Sequence, residues 1–135
     1  MIYLDTSALV KLIRIEPESN ALVDWLDERV EMRWVTSVLA EVELPRAIRT
    51  VAPEGLSAVP AVLARLDRFE IDSVARSTAA AYSDSALRSL DAIHLATAHT
   101  AASTAPLAAL VTYDRRLSEA AEAQGITIAA PGTAS

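Results

Sequence analysis

The stretch MIYLDTSALVKL (residues 1–12) decides how the rest of the chain is read. Ile2, Tyr3 and Leu4 are a short apolar run suited to a buried strand, and it ends on a carboxylate, Asp5. Thr6 and Ser7 follow, and residues 6–14 then have helical spacing, with Thr6 or Asp5 as the N-cap. A strand that runs straight into a helix is the opening of a βαβ unit. Further short strands are expected at residues 33–35, 70–72, 109–112 and 126–128. Long helical patterns lie between them: from Pro17 with Leu22, Val23, Leu26 and Val30 on its inner face, over residues 37–51, across GLSAVPAVLARLDRF with a kink or start at Pro60, and over residues 73–87, 89–102 and 114–124. Gly125 closes the last of these as a C-cap. Strands alternating with helices predict an α/β fold, a parallel sheet covered on both faces.

The chain has 135 residues and is expected to form one domain, residues 1–135, with a frayed tail after about residue 130. Hydrophobic residues make up 52%, enough for a core and against disorder. There is no cysteine, which excludes disulfides and thiolate metal sites. The net charge of −6 argues against a protein that coats nucleic acid by charge alone, but suits a site that holds a cation with carboxylates. Lys11 is the only lysine; the other basic side chains are arginines, whose planar fork suits phosphate. The first residues lack a basic segment, and Asp5, Lys11 and Arg14 interrupt the apolar stretch, so neither a secretory signal nor a membrane span is expected. The expected location is cytoplasmic.

Right-handed crossovers bring the carboxyl ends of parallel strands to one edge, and ligands bind just beyond it. Asp5 ends the first strand. Asp114 follows ALVTY (residues 109–113) in the same way. Asp91 lies among Leu90, Ile93, Leu95 and Ala96, and Glu43 among Leu39, Val42, Arg46 and Ala47. A carboxylate in apolar surroundings is costly unless paired or bound to metal. Each acid also has a plain structural reading: Asp5 and Asp114 as helix caps, Asp91 as a cap or as the partner of Arg88, Glu41 and Glu43 as solvated charges. His94 and His99 read as core-edge or surface histidines, and Arg115–Arg116 as a solvated face. Taken together, two acids at strand ends and two on apolar helices are what a hard divalent cation requires, and their crowding should raise some of their pKa values. Thr6, Ser7 and Thr112 stand beside them with hydroxyls for water or phosphate. No zinc pattern, P-loop, dinucleotide fingerprint or nucleophile elbow is present.

With these segments in hand the chain resembles the PIN-domain ribonucleases, and within them the VapC-type toxins. The resemblance runs over essentially the whole length. MIYLDTSALVKL looks like the family's opening strand with its first acid, Asp5; TSVLAEVELPRAIR (36–49) like the segment bearing the helix acid; LRSLDAIHLATA (87–98) and LVTYDRRLSEAAEAQGI (110–126) like those bearing Asp91 and Asp114. The family pattern favours Glu43 over Glu41, with Val42 before it and Arg46–Ala47–Ile48 after. The resemblance implies a three-layer α/β/α sandwich and a Mg2+-dependent (or Mn2+-dependent) endoribonuclease. Asp5, Glu43, Asp91 and Asp114 would hold the metal, Thr6, Ser7 and Thr112 would assist, and Arg46, Arg88, Arg115 and Arg116 would stand at the RNA-binding rim. It also implies a homodimer and a VapB-like antitoxin, in a heterotetramer or larger, with DNA met only through that antitoxin. The apolar stretches ALVDWLDERV (21–30), with Trp25, and LSAVPAVLARLDRF (56–69) would form a groove for an antitoxin helix. The alternatives are a metal-dependent nuclease acting on DNA and an inert partner-binding domain. A phosphatase of the haloacid-dehalogenase type would want an acid where Ser7 stands, and a receiver domain a late lysine, which is absent.

Overall fold

The computed structural model describes residues 1–133. Five strands form one all-parallel sheet: β1 (Ile2–Leu4), β2 (Trp34–Ser37), β3 (Asp67–Phe69), β4 (Ala109–Val111) and β5 (Ile128–Ala129), in the order β3-β2-β1-β4-β5. β1 is central because every residue in it is apolar and fully buried, as a strand covered on both faces must be. The chain moves outward from β1 to β3, then returns to the other side of β1 as β4. The order therefore reverses between β1 and β4, and a crevice opens there at their carboxyl ends. Leu4 sits opposite Val111, so Asp5 and Thr112 leave the sheet side by side.

Alternation along β1 builds the two cores. Ile2 and Leu4 point to one face, where they join α1 (Thr6–Lys11), α2 (Ser19–Asp27), α3 (Ala40–Val51) and α4 (Val59–Ala64) through Leu9, Leu22, Leu26, Leu44, Ile48 and Leu63. Tyr3 points to the other face and meets Leu95, Ala98, Leu117 and Ala121 of α6 (Ser89–Ala102) and α7 (Arg115–Ala123). α5 (Ser73–Ala81) packs against α6. The result is the expected three-layer sandwich. α6 is buried nearly all round and is accordingly rich in small residues, Ala92, Ala96, Ala98 and Ala101. α7 ends in a Schellman turn: Gly125 takes φ +79°, Ile126 N donates to Ala121 O (3.0 Å) and Gly125 N to Glu122 O (2.9 Å). Lys11 is clamped at the end of α1 by Glu16 (2.7 Å) and Glu18 (3.0 Å) and lies over the Tyr113 ring.

Several element boundaries differ from the sequence expectation. On α2 only Leu22 and Leu26 of the anticipated face are buried; Val23 is exposed, and Val30 lies past the helix end and is exposed too. β3 is Asp67–Phe69 rather than residues 70–72, because Asp72 instead caps α5 by accepting from Ala75 N (2.8 Å). β2 runs on to Ser37, whose hydroxyl accepts from Leu39 N (3.0 Å), so α3 begins only at Ala40. α5 stops at Ala81, where Tyr82 turns extended. Of the tail, Thr133 N and Oγ1 both donate to Ala130 O, and the last two residues lie outside those described.

The two faces of α3 separate packing from the site. Leu44→Ala, at a fully buried position, is expected to cost about 2–5 kcal/mol in urea unfolding, and Val42→Ala, at an exposed one, less than about 0.5 kcal/mol.

Candidate functional site

Asp5 is the buried end of the site. It is the N-cap of α1: Oδ1 accepts from Ala8 N (3.0 Å) and from Ser7 Oγ (2.6 Å), and Oδ2 accepts from Thr112 Oγ1 (2.5 Å). Thr112 Oγ1 in turn accepts from Asp114 N (3.0 Å), and Ser7 Oγ from Tyr113 N (2.9 Å). The ends of β1 and β4 are thus tied through one carboxylate and two hydroxyls. Burial pushes the Asp5 carboxyl above the ordinary range, against the pull of His94 and of the donors from Ser7, Thr112 and Ala8.

Asp114 caps α7, its Oδ1 accepting from Leu117 N (2.9 Å). Capping and site placement are compatible here, because one carboxylate oxygen meets the helix and the other is left over. Asp91 stands in the first turn of α6, half-buried, with no hydrogen bond or ion pair to its carboxylate among the described residues. Burial raises its pKa first, then the charge of Asp114, with smaller pushes from Asp5 and Glu43 against His94. Glu43, from α3, accepts on Oε1 from Thr6 Oγ1 (2.7 Å) and from His94 Nε2 (2.7 Å). Burial alone would raise Glu43, but these donors outweigh it and hold the carboxyl below its usual value. Glu41 points elsewhere, exposed, with its nearest cation Arg68 at 3.4 Å.

Glu43, Asp91 and Asp114 line one open pocket of about 580 Å3, with Ser89, Leu90, Arg88, Arg115 and Arg116 around it. Asp5 lies behind this pocket, joined to it through Thr112 and the Asp114 backbone. Arg46 does not line it and is exposed on α3. Arg115 is held along its own helix by Glu119 (3.0 Å). Thr6, Ser7 and Thr112, expected to face water or phosphate, turn their hydroxyls onto the acids instead. His94 was not singled out by the sequence: it is buried, and joins Glu43 to Tyr3, whose Oη is 2.7 Å from Nδ1. The signal lay in its spacing, three residues after Asp91 on the same helical face.

Donors that are carboxylate oxygens, with Asp91 raised by burial and then by the charge of Asp114, suit a hard divalent cation. Among the described residues no three acidic or imidazole side chains are drawn in tightly enough to close around an ion as they stand. The acids instead surround a pocket, with Asp91 and one oxygen each of Glu43 and Asp114 free of protein partners in the hydrogen-bond network.

The PIN domain family profile matches residues 2–123. The chain belongs to the PIN-domain family. It is 75% identical over 134 residues to Ribonuclease VapC35 of Mycobacterium tuberculosis, covering 99% of both chains. To Ribonuclease VapC46 of the same organism it is 41% identical over 130 residues, covering 96% of this chain and 97% of the other. These matches make it a VapC-type PIN ribonuclease by kinship. Its fold is also that of a solved structure, "Crystal Structure of FitAcB from Neisseria gonorrhoeae", with a TM-score of 0.71 at 19% identity, covering 95% of this chain and 96% of that one.

Asp91 yields a stability test. An acid whose pKa is raised on folding adds stability below the ordinary carboxylate value, and that stability is lost as pH rises through the raised folded value. Asp91→Asn is therefore expected to raise Tm at neutral pH in metal-free buffer. The gap to wild type should narrow as pH falls toward about 4, as followed by thermal unfolding across pH.

Proposed function

We propose that this protein is the toxin of a type II toxin–antitoxin pair, a divalent-metal-dependent endoribonuclease that cuts RNA and so arrests translation and growth. The observation that carries this reading is that Glu43, Asp91 and Asp114, from three separate elements, line one pocket at the sheet's switch point, with arginines at its rim. The ribonuclease names of the similar chains support the substrate class.

In this reading Asp5, Glu43, Asp91 and Asp114 hold Mg2+ or Mn2+, which when bound supplies an activated water and charge stabilisation at the scissile phosphate. The rest is done by the chain itself. Arg88 and Arg116, which line the same pocket as the acids, grip the RNA backbone, and Arg115 joins them after leaving Glu119. Ser7 and Thr112 keep Asp5 ionisable and oriented despite its burial, and Thr6 does the same for Glu43. These hydroxyls act as positioning groups on the carboxylates. Arg46 is left out of this rim.

The protein works in the cytoplasm as a homodimer, in our reading, and is restrained by a VapB-like antitoxin in a heterotetramer or larger; it meets DNA only through that partner. The surface we assign to the antitoxin's apolar side chains is the pocket of about 200 Å3 lined by Leu4, Leu9, Leu12, Trp34, Val62 and Leu66. Arg65, stacked 3.7 Å from the Trp34 ring, stands at its border. Trp25 lies outside it, under Arg29.

The test is cleavage of synthetic RNA and DNA by the purified chain. RNA should be cut with Mg2+ and left whole in EDTA, with 5′-phosphate product ends. Asp5→Asn should lower turnover by more than the roughly 10–100-fold that follows loss of a group supporting a metal ligand. Mg2+ should also raise the Tm of wild type more than that of Asp91→Asn. Cleavage of DNA alone, or equal activity in EDTA, would overturn the proposal.

A further inference from the structure

A line of hydrogen bonds runs from the centre of the sheet to the acid pocket. Tyr3 is fully buried on β1, and its Oη lies 2.7 Å from His94 Nδ1. The two rings meet edge to face, with centroids 5.9 Å apart. His94 is itself 2% exposed, and its Nε2 lies 2.7 Å from Glu43 Oε1. Thr6 Oγ1 reaches the same oxygen at 2.7 Å. Both donors fall on Oε1, and Oε2 has no partner among the described residues, so one oxygen is held while the other is left for the pocket.

Which imidazole nitrogen carries the proton decides whether this line holds or repels. A carboxylate only accepts, so Nε2 must be the N–H to bond Glu43. In the neutral ring Nδ1 is then a bare acceptor and requires a donor. Tyr3 is that donor: its phenol is fully buried and its Oη lies within hydrogen-bond reach of Nδ1, where a hydroxyl can donate. We propose that Tyr3 fixes His94 with its proton on Nε2, and that His94, so fixed, is a positioning residue that aims the Glu43 carboxylate into the acid pocket. Histidine ligands of metals are commonly fixed by the group on their other nitrogen. Here the same device acts one step further out, with a phenol fixing an imidazole that fixes an acid.

This inference rests on the metal-site reading above, and two readouts separate their failures. The first needs no metal. Long-range imidazole 1H–15N spectra of the labelled full chain should show His94 with its proton on Nε2 alone in wild type; in Tyr3→Phe, which removes a single oxygen, Nδ1 loses its donor and a share of the rings should carry a proton there as well. The second is Mn2+ binding followed by electron paramagnetic resonance. His94→Leu is expected to weaken it about tenfold or more, Tyr3→Phe by a smaller factor, and His94→Gln, whose amide can donate toward Glu43, should regain much of the loss. Circular dichroism and thermal unfolding identify any variant that fails to fold; Tyr3→Phe, nearly isosteric, keeps the question open to an answer if His94→Leu does not. A proton on Nδ1 in wild type overturns the proposal, as does Mn2+ affinity unchanged within twofold in both Tyr3→Phe and the folded His94 variants. If wild type binds no Mn2+, the metal reading fails and the spectra alone decide whether His94 holds Glu43.

Discussion

The carboxylate of Asp5 is the constraint from which the rest of this site follows. An ionisable group this deeply buried is tolerated only with its oxygens satisfied, and here the three donors come from two places: Ser7 Oγ and Ala8 N in the first turn of α1, and Thr112 Oγ1 just after β4. Satisfying one acid therefore joins the two strands that flank the switch point. The same contacts set where Asp114 leaves the sheet, because Thr112 also receives the Asp114 backbone N–H. Packing alone would align β1 with β4, but it would leave the direction of the following turns loose.

Around that point the acids divide by environment. Glu43 has two donors on one oxygen, which hold its carboxyl below the usual value; Asp91 is half-buried beside acids and has no donor among the described residues, and its charge is disfavoured. The arginines at the rim stand beyond the acids, so phosphate and cation can be met by separate groups.

Much of this was legible in the sequence because it is local. The apolar run of β1, the capping aspartates, the alanine-rich α6 and the Gly125 turn each follow from residues within a few positions of one another. What was not legible depended on distant partners. That Thr112 donates to Asp5 is a contact across 107 positions, and a hydroxyl beside an acid reads equally well as a phosphate contact. His94 looked like an ordinary core histidine because nothing near it in sequence announces Tyr3 or Glu43. β3 was misplaced because an edge strand with Asp67 and Arg68 lacks apolar alternation, and is held instead by pairing to β2 and by the Arg33–Asp67 ion pair. Val23 and Val30 show the converse: apolar residues at helical spacing that stay exposed, one on α2 and one beyond its end.

The clamp on Lys11 reaches past packing. Burial by itself would make its ammonium easier to deprotonate, but Glu16 and Glu18 more than offset this and keep it charged. This is the chain's sole lysine, and with two carboxylates on its ammonium and the Tyr113 ring against it, little of the ε-amine is left open to acylating reagents. Its reactivity should then report how often the connection between α1 and α2 opens.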